Sequence, residues 1–140
     1  LIPGHETCVE VTAVVGGTSP AYLTGWMDFD GNGTFDAGEQ LSFTVGIDAP
    51  IATGTTTYCF PVPATATFDG GETHARFRLS CETGVASTGQ VIGGEVEDYY
   101  IPVAKIGNLV WRDYDYDGEQ DEPATAGFGG WTVARCQLAI

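Results

Sequence analysis

Apolar and polar residues alternate along most of the chain as far as Val103, with the two-residue period of β-strands. No stretch shows sustained helical periodicity, and turns rich in glycine and proline separate the alternating segments. The pattern predicts six strands, over residues 8–15, 21–29, 40–45, 55–62, 73–81 and 95–103. We therefore expect an all-β fold, an antiparallel β-sandwich of the immunoglobulin-like or jelly-roll type with a short β extension at the C-terminus.

The alternation also predicts which side chains share a face. In residues 40–45 it places three apolar side chains on one side of a strand: Leu41, Phe43 and Val45. In residues 73–81 it places Arg76 and Arg78 together, opposite the apolar side chains of the same strand. Residues 48–54 contain proline and glycine, and we expect them to form a loop.

The chain is predicted to have two parts, residues 1–104 and residues 105–140. The second part contains an alternating segment at 106–111, an acidic loop, and a final alternating segment at 131–139. Two strands do not form a stable domain in water. We therefore expect this part to pack on the first one or to complete a neighbouring molecule.

Charge excludes one class of partner. The formal net charge is −14, and the chain has only five lysine and arginine residues, so no basic patch for nucleic acid can form. No apolar run is long enough to cross a bilayer, and membrane insertion is not expected.

The number and spacing of the four cysteines indicate an oxidising compartment. Cys8, Cys59, Cys81 and Cys136 include no C-x-x-C pair, which argues against a zinc or thioredoxin-like site. An even number in a turn-rich β chain predicts two disulfides and an oxidising, extracellular compartment. Three pairings are open from the sequence, and buried free thiols are the alternative.

The twelve residues 28–39 fit the calcium-loop pattern D-x-[DN]-x-[DN]-G-x5-E. Gly33 stands at the sixth position, where such a loop turns sharply, and the flanking segments are strands rather than the helices of a calcium sensor. The predicted Ca²⁺ ligands are the side chains of five residues and one backbone carbonyl, that of Thr34: Asp28, Asp30, Asn32, Thr34, Asp36 and Glu39. The alternative is a solvated turn rich in aspartate and glycine.

A second acidic loop begins at Asp113 and is less complete. Its closing position is Ala124 instead of glutamate, and Glu122 or a neighbouring chain would have to replace the missing carboxylate. We predict a second Ca²⁺ here, with these candidate ligands: Asp113, Asp115, Asp117, Glu119 and Asp121.

A third acidic cluster lies in the last strand predicted for the first part. Glu95 and Glu97 share one face, and Asp98 follows them. One interpretation is a ladder of ion pairs with Arg76 and Arg78. The other is that one of the three acids completes the first calcium site.

Three ordered motifs resemble the GEVED domain over about residues 8–103. The signature stands at 93–99 as Gly-Gly-Glu-Val-Glu-Asp-Tyr, preceded by Trp-Met-Asp-Phe-Asp-Gly-Asn-Gly at 26–33 and Ala-Arg-Phe-Arg-Leu-Ser at 75–80. The resemblance implies a β-sandwich module of large secreted and cell-surface bacterial proteins, without known catalysis.

Residues 106–121 resemble the opening of an SdrD B-like repeat, so residues 106–140 would be the start of one. Such repeats are calcium-stiffened, immunoglobulin-like rods of bacterial surface adhesins. The family pattern has glutamate where Ala124 stands, and the segment stops short of a whole domain.

These features favour an extracellular structural module at the bacterial cell surface, stiffened by calcium, and not an enzyme. No serine or threonine lies in a nucleophile motif, and the paired carboxylates fall in metal-loop patterns. We expect self-association, with the C-terminal segment adding as a strand to a neighbour to build a filament or matrix. The alternative is an adhesin domain that binds an extracellular glycan or protein through loop aromatics such as Tyr22, Tyr114 and Tyr116.

Overall fold

The computed structural model describes residues 1–17, 20–68, 71–91 and 93–103, and among them the only regular elements are strands. All of the strands pair antiparallel, which confirms the predicted all-β class. The six strands are β1 (Glu6–Ala13), β2 (Ala21–Met27), β3 (Ala49–Ile51), β4 (Gly54–Pro61), β5 (Glu72–Ser80) and β6 (Gly94–Pro102).

The strands form two sheets that enclose one apolar core. One sheet has the order β1-β4, and the other has the order β3-β2-β5-β6. Alternate side chains from both sheets point inward, where Met27, Leu41 and Phe60 are almost completely buried. Burial of this apolar surface drives the two sheets together as a sandwich-like arrangement.

Gly25 allows the core to close over the middle of β2. A Cβ atom at this position would lie 2.9 Å from the Leu41 side chain and 3.0 Å from the ring of Phe77. These separations are tighter than van der Waals contact, so glycine lets both side chains cover the strand.

Two predictions for residues 40–54 were wrong. Residues 40–45 do not form a strand, because the chain passes from one sheet to the other: Leu41 N–H donates to Gly25 O on β2, and Thr44 N–H donates to Cys59 O on β4. Leu41 and Phe43 are buried between the sheets, whereas Val45 lies in the following turn and is 63% exposed. The predicted loop at 48–54 contains the short strand β3, which pairs with the start of β2.

Cys8 and Cys59 form a disulfide between directly opposed residues of β1 and β4, with their Cα atoms 4.0 Å apart. This pairing is one of those that the sequence left open. Cys81 carries an exposed thiol at the end of β5, and Cys136 lies outside the described residues.

The chain divides after Ala104 into two units, Leu1–Ala104 and Lys105–Ile140. The strands predicted at 106–111 and 131–139 lie outside the described residues. No helix in the described part of the chain is long and apolar enough to span a membrane.

Candidate metal centre

The loop of residues 28–39 is anchored at both ends on the four-stranded sheet. Asp28 N–H donates to His74 O on β5 at 2.9 Å, and Met27 N–H donates to Glu39 O at 3.0 Å. The first and last predicted ligands therefore start from fixed backbone positions at the end of β2.

Three of the predicted ligands converge. Carboxylate oxygens of Asp28, Asp30 and Glu39 lie within 4.8 Å of one another. The side chains of Asp28 and Glu39 are buried, with 1% and 6% of their residue surface exposed, whereas Asp30 faces solvent. Two buried carboxylates this close repel each other, and a bound cation would offset both the repulsion and the loss of hydration.

Backbone N–H groups fix the orientation of both buried carboxylates. The Asp28 carboxylate accepts hydrogen bonds from Gly31 N at 2.7 Å, Asn32 N at 3.2 Å and Gly33 N at 2.8 Å. The Glu39 carboxylate accepts one from Phe29 N at 2.7 Å and, through its other oxygen, one from Asp36 N at 2.8 Å. Because a carboxylate has about four lone-pair sites, both groups keep capacity for an ion.

Gly33 makes the sharp turn that the sequence predicts at the sixth loop position. Its φ is +82°, in the left-handed region, and a Cβ atom there would meet nothing within 4 Å. Glycine is therefore required for backbone conformation and not for space.

Asn32 links the exposed carboxylates of the loop. Its side-chain nitrogen donates to Asp30 Oδ2 at 3.1 Å and to Asp36 Oδ2 at 2.9 Å. Its side-chain oxygen accepts from Thr34 N at 2.8 Å and from Thr34 Oγ1 at 2.6 Å. The amide nitrogen thus lies between two carboxylates, and rotation of the amide would present its oxygen to a cation. The donor set, hard oxygens only, fits Ca²⁺.

Two threonines that sequence reasoning missed hold the loop from outside. The Thr73 hydroxyl donates to the backbone carbonyl of Asp28, and Thr73 is 1% exposed. The Thr67 hydroxyl donates to Asp30 O at 3.2 Å. Nothing in the loop pattern indicates these residues, because they are 45 and 37 positions away in the sequence.

Asp98 of the third acidic cluster is connected to the loop of residues 28–39 through Arg76. The guanidinium donates to both carboxylate oxygens, at 2.6 and 2.7 Å, and to Ser87 O at 2.9 Å. It also lies 5.6 Å from the ring centroid of Phe35 in the loop. The bidentate pairing lowers the pKa of Asp98 and raises that of Arg76.

The predicted ladder of ion pairs stops at that pair. Arg78 is 4% exposed, and its guanidinium donates to Ala86 O at 2.6 Å and Gly89 O at 2.9 Å. The β5–β6 register places Val96 opposite Arg78, so no carboxylate of β6 lies directly across from it. Arg78 is therefore a structural residue that fixes the loop covering the outer face of the sheet.

Glu95 and Glu97 point to the other face. The register sets them opposite Leu79 and Phe77, and both line a groove between β1 and β6. The Tyr99 hydroxyl donates to the Glu97 carboxylate, and this bond raises the pKa of Tyr99. Neither glutamate belongs to the converging group of Asp28, Asp30 and Glu39.

Of the three tyrosines predicted to bind a ligand from loops, only Tyr22 lies within the described residues. Tyr22, expected as a loop aromatic, is half-buried in β2 opposite Pro50. The second acidic loop, with Tyr114 and Tyr116, lies outside the described residues.

Comparison with known protein families gives one match. The model of the GEVED domain matches residues 22–102, from the start of β2 to the end of β6. The matched range includes the acidic loop, Arg76 and the signature at 93–99. No curated protein and no solved structure matches the chain.

Proposed function

We propose that this chain, which belongs to the GEVED domain family, is an extracellular structural module of a bacterial surface protein, braced by Ca²⁺ in the loop of residues 28–39. The observation that carries the proposal is the convergence of Asp28, Asp30 and Glu39 within 4.8 Å, two of them buried. A second ion in the loop that begins at Asp113 is part of the proposal.

The chemistry of the loop favours calcium among the common cations. Calcium takes about six to eight oxygen ligands in a flexible arrangement. Asp28, Asp30 and Glu39 supply carboxylates, and Asn32 and Asp36 are hydrogen-bonded beside them. Zinc is less suitable, because it prefers histidine and cysteine ligands, which the loop lacks.

When bound, the ion neutralises the carboxylates and joins the two ends of the loop. One end leaves β2, and the other leads to Leu41 and Phe43 in the core. Holding these ends together stabilises the point where the chain crosses between the sheets. Binding is therefore coupled to folding, because the unfolded chain does not present the same ligand set.

Two further observations support an extracellular structural role. The Cys8–Cys59 disulfide suits an oxidising compartment. Strand β6, which lies at the edge of its sheet among the described strands, is exposed along almost its whole length, and this suits assembly with neighbours by strand addition into a filament or matrix.

Thermal unfolding in calcium and in EDTA tests the brace. For an extracellular site with a dissociation constant of about 10⁻⁴ M, about 10 mM Ca²⁺ stabilises the fold by about 2.7 kcal/mol. In a domain of about 100 residues this raises the melting temperature by about 10 °C or more. Equal melting temperatures in the two buffers would overturn the calcium proposal.

Matched variants separate loss of the ion from general damage. Asp28→Asn and Asp30→Asn keep side-chain acceptors but remove charge, and we expect both to lose most of the calcium-dependent rise. Asp48→Asn is the control, since Asp48 also accepts two hydrogen bonds, from Thr24 Oγ1 and Gly84 N, outside the loop. It should lower stability in both buffers and leave the calcium-dependent rise unchanged.

A further inference from the structure

The strand β6 has one open edge in the described part of the chain. It pairs with β5, and its other neighbour position is not taken by any described strand. Eight of its nine residues are exposed. Its outward N–H and C=O groups are thus available to a further strand.

The inner side of that edge is apolar and only partly covered. Val9 and Val11 of β1 and Phe77 and Leu79 of β5 contact the core but stay partly exposed. They line a groove of about 660 Å³ that also reaches β6. A strand added to β6 would place its inward side chains in this groove and cover the core.

The inward residues of β6 have a definite order. They run Glu95, Glu97, Tyr99, Ile101, two acids followed by two apolar residues, and all four line the groove. The two arginines of the described chain, Arg76 and Arg78, are engaged on the opposite face of the sheet. A matching antiparallel strand therefore needs two apolar residues followed by polar or basic ones, at alternate positions.

We propose that β6 accepts residues 131–137 of a second copy of this chain as an antiparallel strand. The inward residues of that segment would be Trp131, Val133, Arg135 and Gln137, in the order that the groove requires. Arg135 then lies opposite Glu97, and Trp131 lies opposite Ile101. The segment lies outside the described residues, and its match to β6 is one of residue order.

This inference rests on the strand addition of the proposed function and specifies its two surfaces. Charge supports the choice of donor. The chain carries −14 overall, so two copies repel except where cations meet acids, and residues 131–137 contain one cation, Arg135, and no acid. Glu95 and Glu97 are acids that a donor cation can reach in the groove.

Inward-pointing acids also occur on edge strands that avoid pairing. The two roles predict opposite results for Glu97→Gln. If Glu97 serves to repel other strands, the variant associates more strongly than the parent chain. If Glu97 binds Arg135 of the second copy, the variant associates more weakly.

A charge exchange in the full chain, followed by sedimentation equilibrium in Ca²⁺, tests the pairing. We expect Glu97→Arg and Arg135→Glu each to weaken self-association by about tenfold or more, since each creates a like-charge pair in the interface. The double variant again has a pair of opposite charges, with their positions exchanged, and should recover most of the affinity. Glu82→Arg, the same change in an exposed loop outside the groove, should not weaken it.

A synthetic peptide of residues 130–138 with Cys136→Ser tests the backbone pairing. In a strand added to β6, every second N–H group of the peptide points toward β6 and the others point away. N-methylation of the N–H groups that point toward β6 should abolish binding, and N-methylation of the others should leave binding intact. Equal effects of the two sets would overturn strand addition at this edge.

The outcomes distinguish this inference from the proposed function. A chain that stays monomeric at all concentrations contradicts self-association itself. A chain that associates, but without any loss in Glu97→Arg or without rescue in the double variant, contradicts only the pairing of residues 131–137 with β6. The calcium experiment is independent of both results.

Discussion

Gly94 is the second residue of the signature and starts β6, and the structure indicates that no other residue fits there. Its φ is +138°, a region that L-amino acids rarely adopt. A Cβ atom would overlap the carbonyl oxygen of Leu79 and lie 3.2 Å from its carbonyl carbon. Leu79 is in β5, opposite Glu95, so relief of the overlap requires the two strands to separate where their pairing begins.

Gly93 provides a matched control for Gly94→Ala. Gly93 also has a positive φ, +71°, but a Cβ atom there would meet nothing within 4 Å. Gly93→Ala therefore carries only the cost of the left-handed conformation, about 1 kcal/mol. Gly94→Ala adds backbone overlap to backbone strain, and from about 1–3 kcal/mol for each we expect a loss of about 4 kcal/mol.

Urea and thermal unfolding, followed by circular dichroism, measure the difference between the two variants. For a domain of about 100 residues, a loss of 4 kcal/mol lowers the melting temperature by about 20 °C, against about 5 °C for Gly93→Ala. If the two alanine variants are equally stable, the close approach of Gly94 to Leu79 does not determine the choice of glycine, and the reasoning fails.

Three further predictions concern other parts of the described chain. Gly25→Ala should cost about 1–3 kcal/mol in urea unfolding, because the added methyl group displaces two core side chains. Asp98 has a lowered pKa in the folded state because it pairs with Arg76. Its contribution to stability is therefore present above about pH 4 and is lost as pH falls through the lowered pKa. Measured against pH, the free energy of unfolding of Asp98→Asn should fall less on acidification than that of the parent chain. Non-reducing peptide mapping should recover Cys8 and Cys59 in one disulfide-linked pair of fragments, because the β1–β4 register sets the two residues opposite each other.

Alternation predicted five of the six strands, although β2 is buried on both faces and β6 is exposed along almost its whole length. It failed where an alternating segment does not pair as a strand, and where a short strand shows no alternation. Residues 40–45 alternate because Leu41 and Phe43 are buried between the sheets, yet their amides bond to different sheets. The strand β3 was missed because three residues with a central proline carry too little pattern to predict pairing.

The sequence predicted the acidic loop in more detail than the contacts that surround it. The spacing from Asp28 to Glu39 depends on local geometry, so the sequence was sufficient to indicate which residues converge and where glycine is needed. The supports from Thr67 and Thr73 depend on tertiary contacts across the fold. The same is true of the cysteine pairing, because four cysteines leave three choices until the β1–β4 register sets Cys8 opposite Cys59.

The signature itself is explained by strand alternation and not by a single site. Asp98 points to the outer face, where Arg76 connects it to Phe35 in the acidic loop. Glu95 and Glu97 point to the inner face and the groove. One short strand thus has an ion pair beside the proposed calcium site on one face and acids for the proposed partner on the other. Substitution of Asp98 should therefore lower stability and leave self-association nearly unchanged. Substitution of Glu97 should weaken self-association and leave stability nearly unchanged.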